Sequence, residues 1–147
     1  MNFAGTVTIN APLQKTWDNL TDPNVVSQCA PGLQSMQVIV PDKQFKVVAS
    51  VGFGAVKVTF DVDVEWQEME APNYAKVKAH GKAPGSGVDV SSEMHLSSLS
   101  ESSSELKWSA DVVVVGTIAS LASRMMEGVT RQMSNKFFEC IKGKIEA

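Results

Sequence analysis

The chain has 147 residues, a net charge of −3 and a hydrophobic content of 44%. That suffices for one domain over residues 1–147, burying roughly 70% of its unfolded surface without disulfides or metal. The balance excludes disorder, and no basic patch with interleaved aromatics offers itself to nucleic acid.

Residues 3–9 alternate into a first strand, and the opening Met1-Asn2-Phe3-Ala4-Gly5-Thr6-Val7 is strand-like, so no secretory signal is expected. Asn10-Ala11-Pro12 has capping chemistry and opens a short helix through Trp17 and Leu20. Thr21-Asp22-Pro23 repeats that signal for a second short helix over about residues 24–29, which Pro31-Gly32 breaks. A meander follows, with strands expected at 36–40, 45–51, 56–67, 74–81, 88–99 and 106–115. Gly52-Phe53-Gly54 reads as a flexible corner, residues 82–87 as a Gly/Pro loop, and the serines of 97–104 as an exposed hairpin tip. The longest run of strong hydrophobes, residues 112–115, is far too short to span a membrane.

Residues 117–146 then read as one long helix. Its apolar positions Ile118, Leu121, Ala122, Met125, Val129, Met133, Phe137, Ile141 and Ile145 fall on a single stripe of 3.6-residue period. Strand, two short helices, six strands and a long helix is an α+β arrangement of the helix-grip type. A bent antiparallel sheet of about seven strands wraps a C-terminal helix. That fold hosts carriers, cyclases and chaperone regulators, so function must come from the site.

Strand alternation gives the face turned to the helix. Residues 56–67 present Val56, Val58, Phe60, Val62, Val64 and Trp66 inward, and Lys57, Thr59, Asp61, Asp63, Glu65 and Gln67 outward. The later strands add Ala75, Val77, Ala79, Gly81, Val88, Val90, Ser92, Met94, Leu96, Leu106, Trp108, Ala110, Val112 and Val114. Ser92 is the one inward polar side chain of these four strands, so no acid, base or nucleophile faces the helix and no catalytic residue is expected. The small residues Ala75, Ala79, Gly81 and Ala110 leave space that a packed core would fill, and a dry apolar cavity accepts a hydrophobic guest. Such a guest is expected to touch Val62, Val77, Ala79, Met94, Trp108, Ala110, Leu121, Met125 and Val129. Phe53 is a candidate gate at the cavity entrance, with a plug at the core edge as the alternative.

Other chemistry-bearing groups point to surface. His80 and His95 fall on the outward register, without the third ligand that a metal needs. Asp61, Asp63, Glu65, Glu68 and Glu70 form an acidic, solvated strand face. Arg124, Arg131, Lys136, Lys142 and Lys144 outweigh Glu127 and Glu139 on the last helix, a modest positive excess. Cys29 and Cys140 lack a CxxC or Cys/His neighbour, so reduced thiols in a cytoplasmic protein are expected, Cys140 serving as a small helix hydrophobe. No metal and no cofactor are expected.

The strings Phe3-Ala4-Gly5-Thr6-Val7, Ile9-Asn10-Ala11-Pro12, Trp17-Asp18-Asn19-Leu20-Thr21-Asp22-Pro23 and Cys29-Ala30-Pro31-Gly32-Leu33 resemble the N-terminal pattern of the CoxG family, named for the G subunit of carbon monoxide dehydrogenase. So does the end of the chain, from Leu106-Lys107-Trp108 through Val115-Gly116-Thr117 to Arg124, with Phe137-Phe138 beyond. The resemblance implies a START-like (SRPBCC) fold and a non-catalytic accessory to molybdenum hydroxylases of the CO dehydrogenase type. It implies a respiratory quinone or lipid-like molecule in the cavity and a part in bringing the enzyme to the membrane. Members that dock to membranes continue into a hydrophobic or amphipathic tail. Here the sequence runs to Glu146-Ala147, so either transient contact at the inner membrane face or a different partner is expected. The alternatives are a protein-interaction module with a packed interior and a polyketide cyclase-like enzyme.

Overall fold

The computed structural model describes residues 1–147. The elements are β1 (Asn2–Ile9), α1 (Leu13–Leu20), α2 (Pro23–Cys29), β2 (Leu33–Val40), β3 (Gln44–Phe53), β4 (Val56–Glu70), β5 (Tyr74–Ala83), β6 (Ser86–Ser100), β7 (Ser103–Gly116) and α3 (Ala119–Ile145). The strands form one antiparallel sheet in the order β1-β7-β6-β5-β4-β3-β2. β1 and β2 are thus opposite edges, and α1 and α2 carry the chain from one to the other.

Local chemistry sets the boundaries. In α1, Trp17 and Leu20 are buried together, three residues apart on one face. Pro12 occupies the N-cap with no side-chain cap, correcting the capping role expected of Asn10. The Asn10 amide instead donates to Glu146 Oε2 at 3.2 Å, tying the end of β1 to the end of α3. α2 follows its sequence signal, with Pro23 in the first turn and Asp22 Oδ1 accepting from the Asn24 amide at 2.9 Å. On the outer sheet face, β4 carboxylates stand opposite β5 bases: Asp61 by Lys82, Asp63 by His80, Glu65 by Lys78 and Glu68 by Lys76. Facing opposite charges support the pairing and explain the acidic alternation of β4.

Three loops expected from the sequence are shorter in the structure. β5 and β6 extend to Ala83 and Ser86, leaving Pro84-Gly85 as the turn where residues 82–87 read as loop. The serine run belongs mostly to β6 and β7, which turn at Glu101-Ser102. Phe53 closes β3 opposite Val56 and is not at a loop tip. Cross-strand hydrogen bonding overrides the local turn propensity of Gly, Pro and Ser in each case.

The junction into α3 is pinned by the β5–β6 turn. Gly116 has a φ of 94°, and a Cβ there would lie 2.1 Å from the Gly85 carbonyl oxygen, so only glycine fits. The Thr117 amide donates to that same oxygen at 2.9 Å, and Ser86 Oγ accepts from the Ile118 amide at 3.3 Å. The helix begins two residues later than the pattern suggests, at Ala119, because Thr117 and Ile118 are spent on this anchor.

Only 21 of 147 residues are buried, and most of the buried apolar side chains form two clusters of 10 and 5 residues. One joins Ile9, Trp17, Leu20, Cys29, Leu96 and Leu106 to Ile141 and Ile145 near the end of α3. The other joins Phe53, Phe60 and Val112 to Ala122 and Met126 near its start. A domain of this size ordinarily has one contiguous core. Here α3 packs at both ends, its backbone nearing β1, β3 and β7.

Cys29 and Cys140 form a disulfide with Cα atoms 5.5 Å apart, correcting the expectation of free thiols. They lie 111 residues apart without a spacing motif, and only the packing of α2 on α3 brings them together. Closing a loop of that length is worth roughly 5 kcal/mol in the chain-entropy account.

Candidate ligand-binding cavity

Beside the second cluster, under the first half of α3, lies a cavity of about 210 Å³. β3 contributes Ala49, Val51 and Phe53, β4 Phe60 and Val62, and β5 Ala79 and Gly81. β6 and β7 add Val88, Val90, Val112 and Val114; Ile118, Met126, Val129, Thr130 and Met133 form the roof. Fourteen of these 16 residues are hydrophobic. Thr130 carries the only polar side chain among them. Val51, Val62, Ala79, Val88 and Val90 point inward yet are half-buried, because the surface they keep lines the hollow. Gly81 sits where a Cβ would come within 2.8 Å of Val88 Cγ1, so the sheet wall has no room for a side chain there.

Of the expected contact residues, Val62, Ala79 and Val129 line this cavity. Leu121 and Met125 pack beside it against the second cluster, while Met126, one position on, is the buried methionine. Met94 packs against the first cluster instead. Trp108 lies toward β1, its indole over Gly5 and its ring centroid 6.2 Å from that of Phe138. Val77 and Ala110 keep inward register positions without lining the cavity. Phe53 is only 3% exposed and forms part of the wall. The sequence reading missed the β3 wall, although Phe45, Val47, Ala49, Val51 and Phe53 alternate as cleanly as the β4 residues. It missed Thr130 as well, since a threonine inside an apolar stripe gives no signal of its own.

A second apolar pocket, also about 210 Å³, lies beneath α2. Larger concavities, about 620 Å³ on the outer sheet face and about 740 Å³ between β1 and α3, are open and lined largely by polar or charged residues.

Titratable groups stay outside the hollow. His80 Nδ1 lies 2.6 Å from Asp89 Oδ1 on the outer face, and His95 stacks beside Tyr74 at a centroid distance of 4.8 Å. Tyr74 is the one group with a clearly moved pKa, pushed up to about 12, first by its hydrogen bond to Glu93 and then by desolvation and neighbouring carboxylates. No three metal-binding side chains come together.

A bent antiparallel sheet gripping a C-terminal helix is the helix-grip class of fold. Within that class, residues 5–146 match CoxG, the G subunit of carbon monoxide dehydrogenase, and the chain belongs to the CoxG family. A conserved protein of Geobacillus kaustophilus superposes with a TM-score of 0.91 at 24% identity, over 99% of this chain and 95% of that one. The Zhui aromatase/cyclase from Streptomyces sp. R1128 superposes at 0.76 and 18% identity, over 99% and 93%. A Thermus thermophilus protein does so at 0.72 and 10% identity, over 99% and 97%. At these identities the likeness is one of fold. No curated protein is a significant match.

Proposed function

We propose that the protein is a non-catalytic accessory carrier. It would hold a quinone-like or lipid-like molecule between α3 and the sheet, in support of a molybdenum hydroxylase of the CO dehydrogenase type or of that enzyme's coupling to the membrane. The supporting observation is the wall itself: 14 of 16 lining residues are hydrophobic, and none is titratable. An apolar space of roughly 150 Å³ is enough to bind benzene, so this cavity accommodates a ring or a stretch of hydrocarbon. Affinity comes from apolar burial at roughly 25 cal/mol per Å² and from shape. Thr130 and backbone groups supply what little orientation there is.

The family match supports the hydroxylase connection, and the fold accommodates the carrier role. The shared fold with an aromatase/cyclase keeps an enzymatic reading in view. Such an enzyme needs acid–base groups converging on its substrate, whereas His80 and His95 lie on the outer face here. No helix is long and apolar enough to cross a membrane. Membrane contact would therefore be peripheral if α3's basic residues make it.

Native mass spectrometry of protein purified from a membrane-rich host tests the carrier reading. A co-purified hydrophobic adduct, or a mass and melting shift with added decylubiquinone, is expected. The absence of both would refute it.

A further inference from the structure

The pocket beneath α2 lies next to the main cavity along β3 and β4, with no lining residue in common. Its wall residues Val47 and Val64 are the next inward positions after Ala49 and Val62, and Val47 stands opposite Val62 in the β3–β4 ladder. The two spaces are successive stretches of one apolar surface along these strands. Trp66 forms part of the outer stretch on the sheet side, with Val26 and Ala30 on the α2 side.

That α2 cover is thin. It has seven residues, of which Cys29 alone is buried. An exposed hydrogen bond from Lys144 Nζ to Gln28 Oε1 at 2.8 Å links it to α3, and the covalent link is Cys29–Cys140. Beyond its far end the chain is fixed at Gly32, whose φ is 76° and whose carbonyl oxygen accepts from the Ser50 amide at 2.9 Å, so any movement of α2 stops there. Val25 also packs against the first cluster, but a seven-residue element with one buried residue is the kind that opens locally.

We infer that α2 is the lid over the portal through which an elongated hydrophobic molecule reaches the cavity, and that the Cys29–Cys140 bridge latches it. The proposal rests on the carrier reading and names the regulation of that site. Release is a thiol–disulfide exchange. The thiolate of a low-molecular-weight thiol attacks Cys140 Sγ, since Cys140 is half-buried while Cys29 is only 6% exposed. The S–S bond breaks, a mixed disulfide forms on Cys140, and Cys29 leaves as a thiolate that takes up a proton. A second thiol cleaves the mixed disulfide, frees Cys140 as a thiol and departs as the small-molecule disulfide. Two small thiols are oxidised and the bridge is reduced by two electrons and two protons. α2 then keeps only its weak non-covalent ties, and the portal opens more often.

The full-length chain is compared oxidised, reduced with dithiothreitol, and as Cys140→Ser. Amide hydrogen exchange is read along the chain, and decylubiquinone association is followed by tryptophan quenching. Exchange at residues 22–33 and quinone association should each rise at least tenfold in the reduced and Cys140→Ser forms, with the sheet unchanged. Free thiols in the oxidised protein, unchanged exchange at residues 22–33, or faster exchange throughout the chain would overturn the latch. Faster exchange at 22–33 with no quinone bound in any form retires the carrier reading and leaves the latch standing. Quinone binding at the same rate in all forms does the reverse.

Discussion

Ala79 is where one side chain most directly decides whether the cavity exists, because its methyl faces the hollow from the middle of the sheet. Ala79→Phe should fill the space and abolish decylubiquinone binding. Since the ring enters a void, stability in urea should change by less than the ~1–3 kcal/mol typical of overpacking a filled core. Retained binding would show that the guest sits elsewhere. Phe53→Ala separates gate from wall: loss of a buried core aromatic should cost about 3–5 kcal/mol, whereas a gate would alter uptake rate at little cost in stability. At 3% exposure Phe53 should show the larger loss. Tyr74 is the only tyrosine, so its titration is readable from phenolate absorbance. The midpoint should lie near 12, and Glu93→Gln should move it down toward the ordinary 10.0 by removing the charge and leaving a weaker, neutral acceptor. Because folding raises this pKa, the stability tied to the protonated phenol is intact below pH 10.0 and lost as pH rises through about 12.

Among the elements, α3 depends most on a junction that is not helical. Gly116→Ala places a methyl against the Gly85 carbonyl oxygen at a left-handed φ, and should cost more than the ~1–3 kcal/mol of backbone strain alone. Denaturation midpoints would check this, and a loss under about 0.5 kcal/mol would contradict the anchor. The period-two alternation of β4 and β7 and the 3.6-residue stripe of α3 made these elements legible in sequence, since each buries one face. Strand ends were less legible: Ala83 pairs with Ser86 and Ser103 with Ser100 across tight hairpin turns whose Gly, Pro and Ser content reads locally as loop. Of the expected stripe, Ile118, Val129 and Met133 line the hollow; Leu121 and Met125 do not, while Met126 and Thr130, each one position past a stripe residue, do. A one-residue rotation of a helix changes which side chains face inward without disturbing its period.

For the molecule as a whole, the order of elements was enough to expect a sheet wrapped on a helix; of the four small inward residues, Ala79 and Gly81 line the hollow, while Ala75 is buried in the first cluster. The portal and the disulfide were not accessible in the same way. They arise where α2 meets α3, and no local pattern encodes a contact between residues 29 and 140. That bridge also removes the basis on which a reducing cytoplasm was inferred, since disulfides persist mainly in oxidising compartments. The central claim is that a hydrophobic guest occupies the space between α3 and the sheet. Methyl NMR of valine- and methionine-labelled protein titrated with decylubiquinone tests it most directly. Saturable shifts are predicted at Val62, Val90, Val129, Met126 and Met133, which line the cavity, and none at the exposed Val38, Val40, Val113 and Val115. Shifts confined to those exposed valines, or none at all, would contradict it.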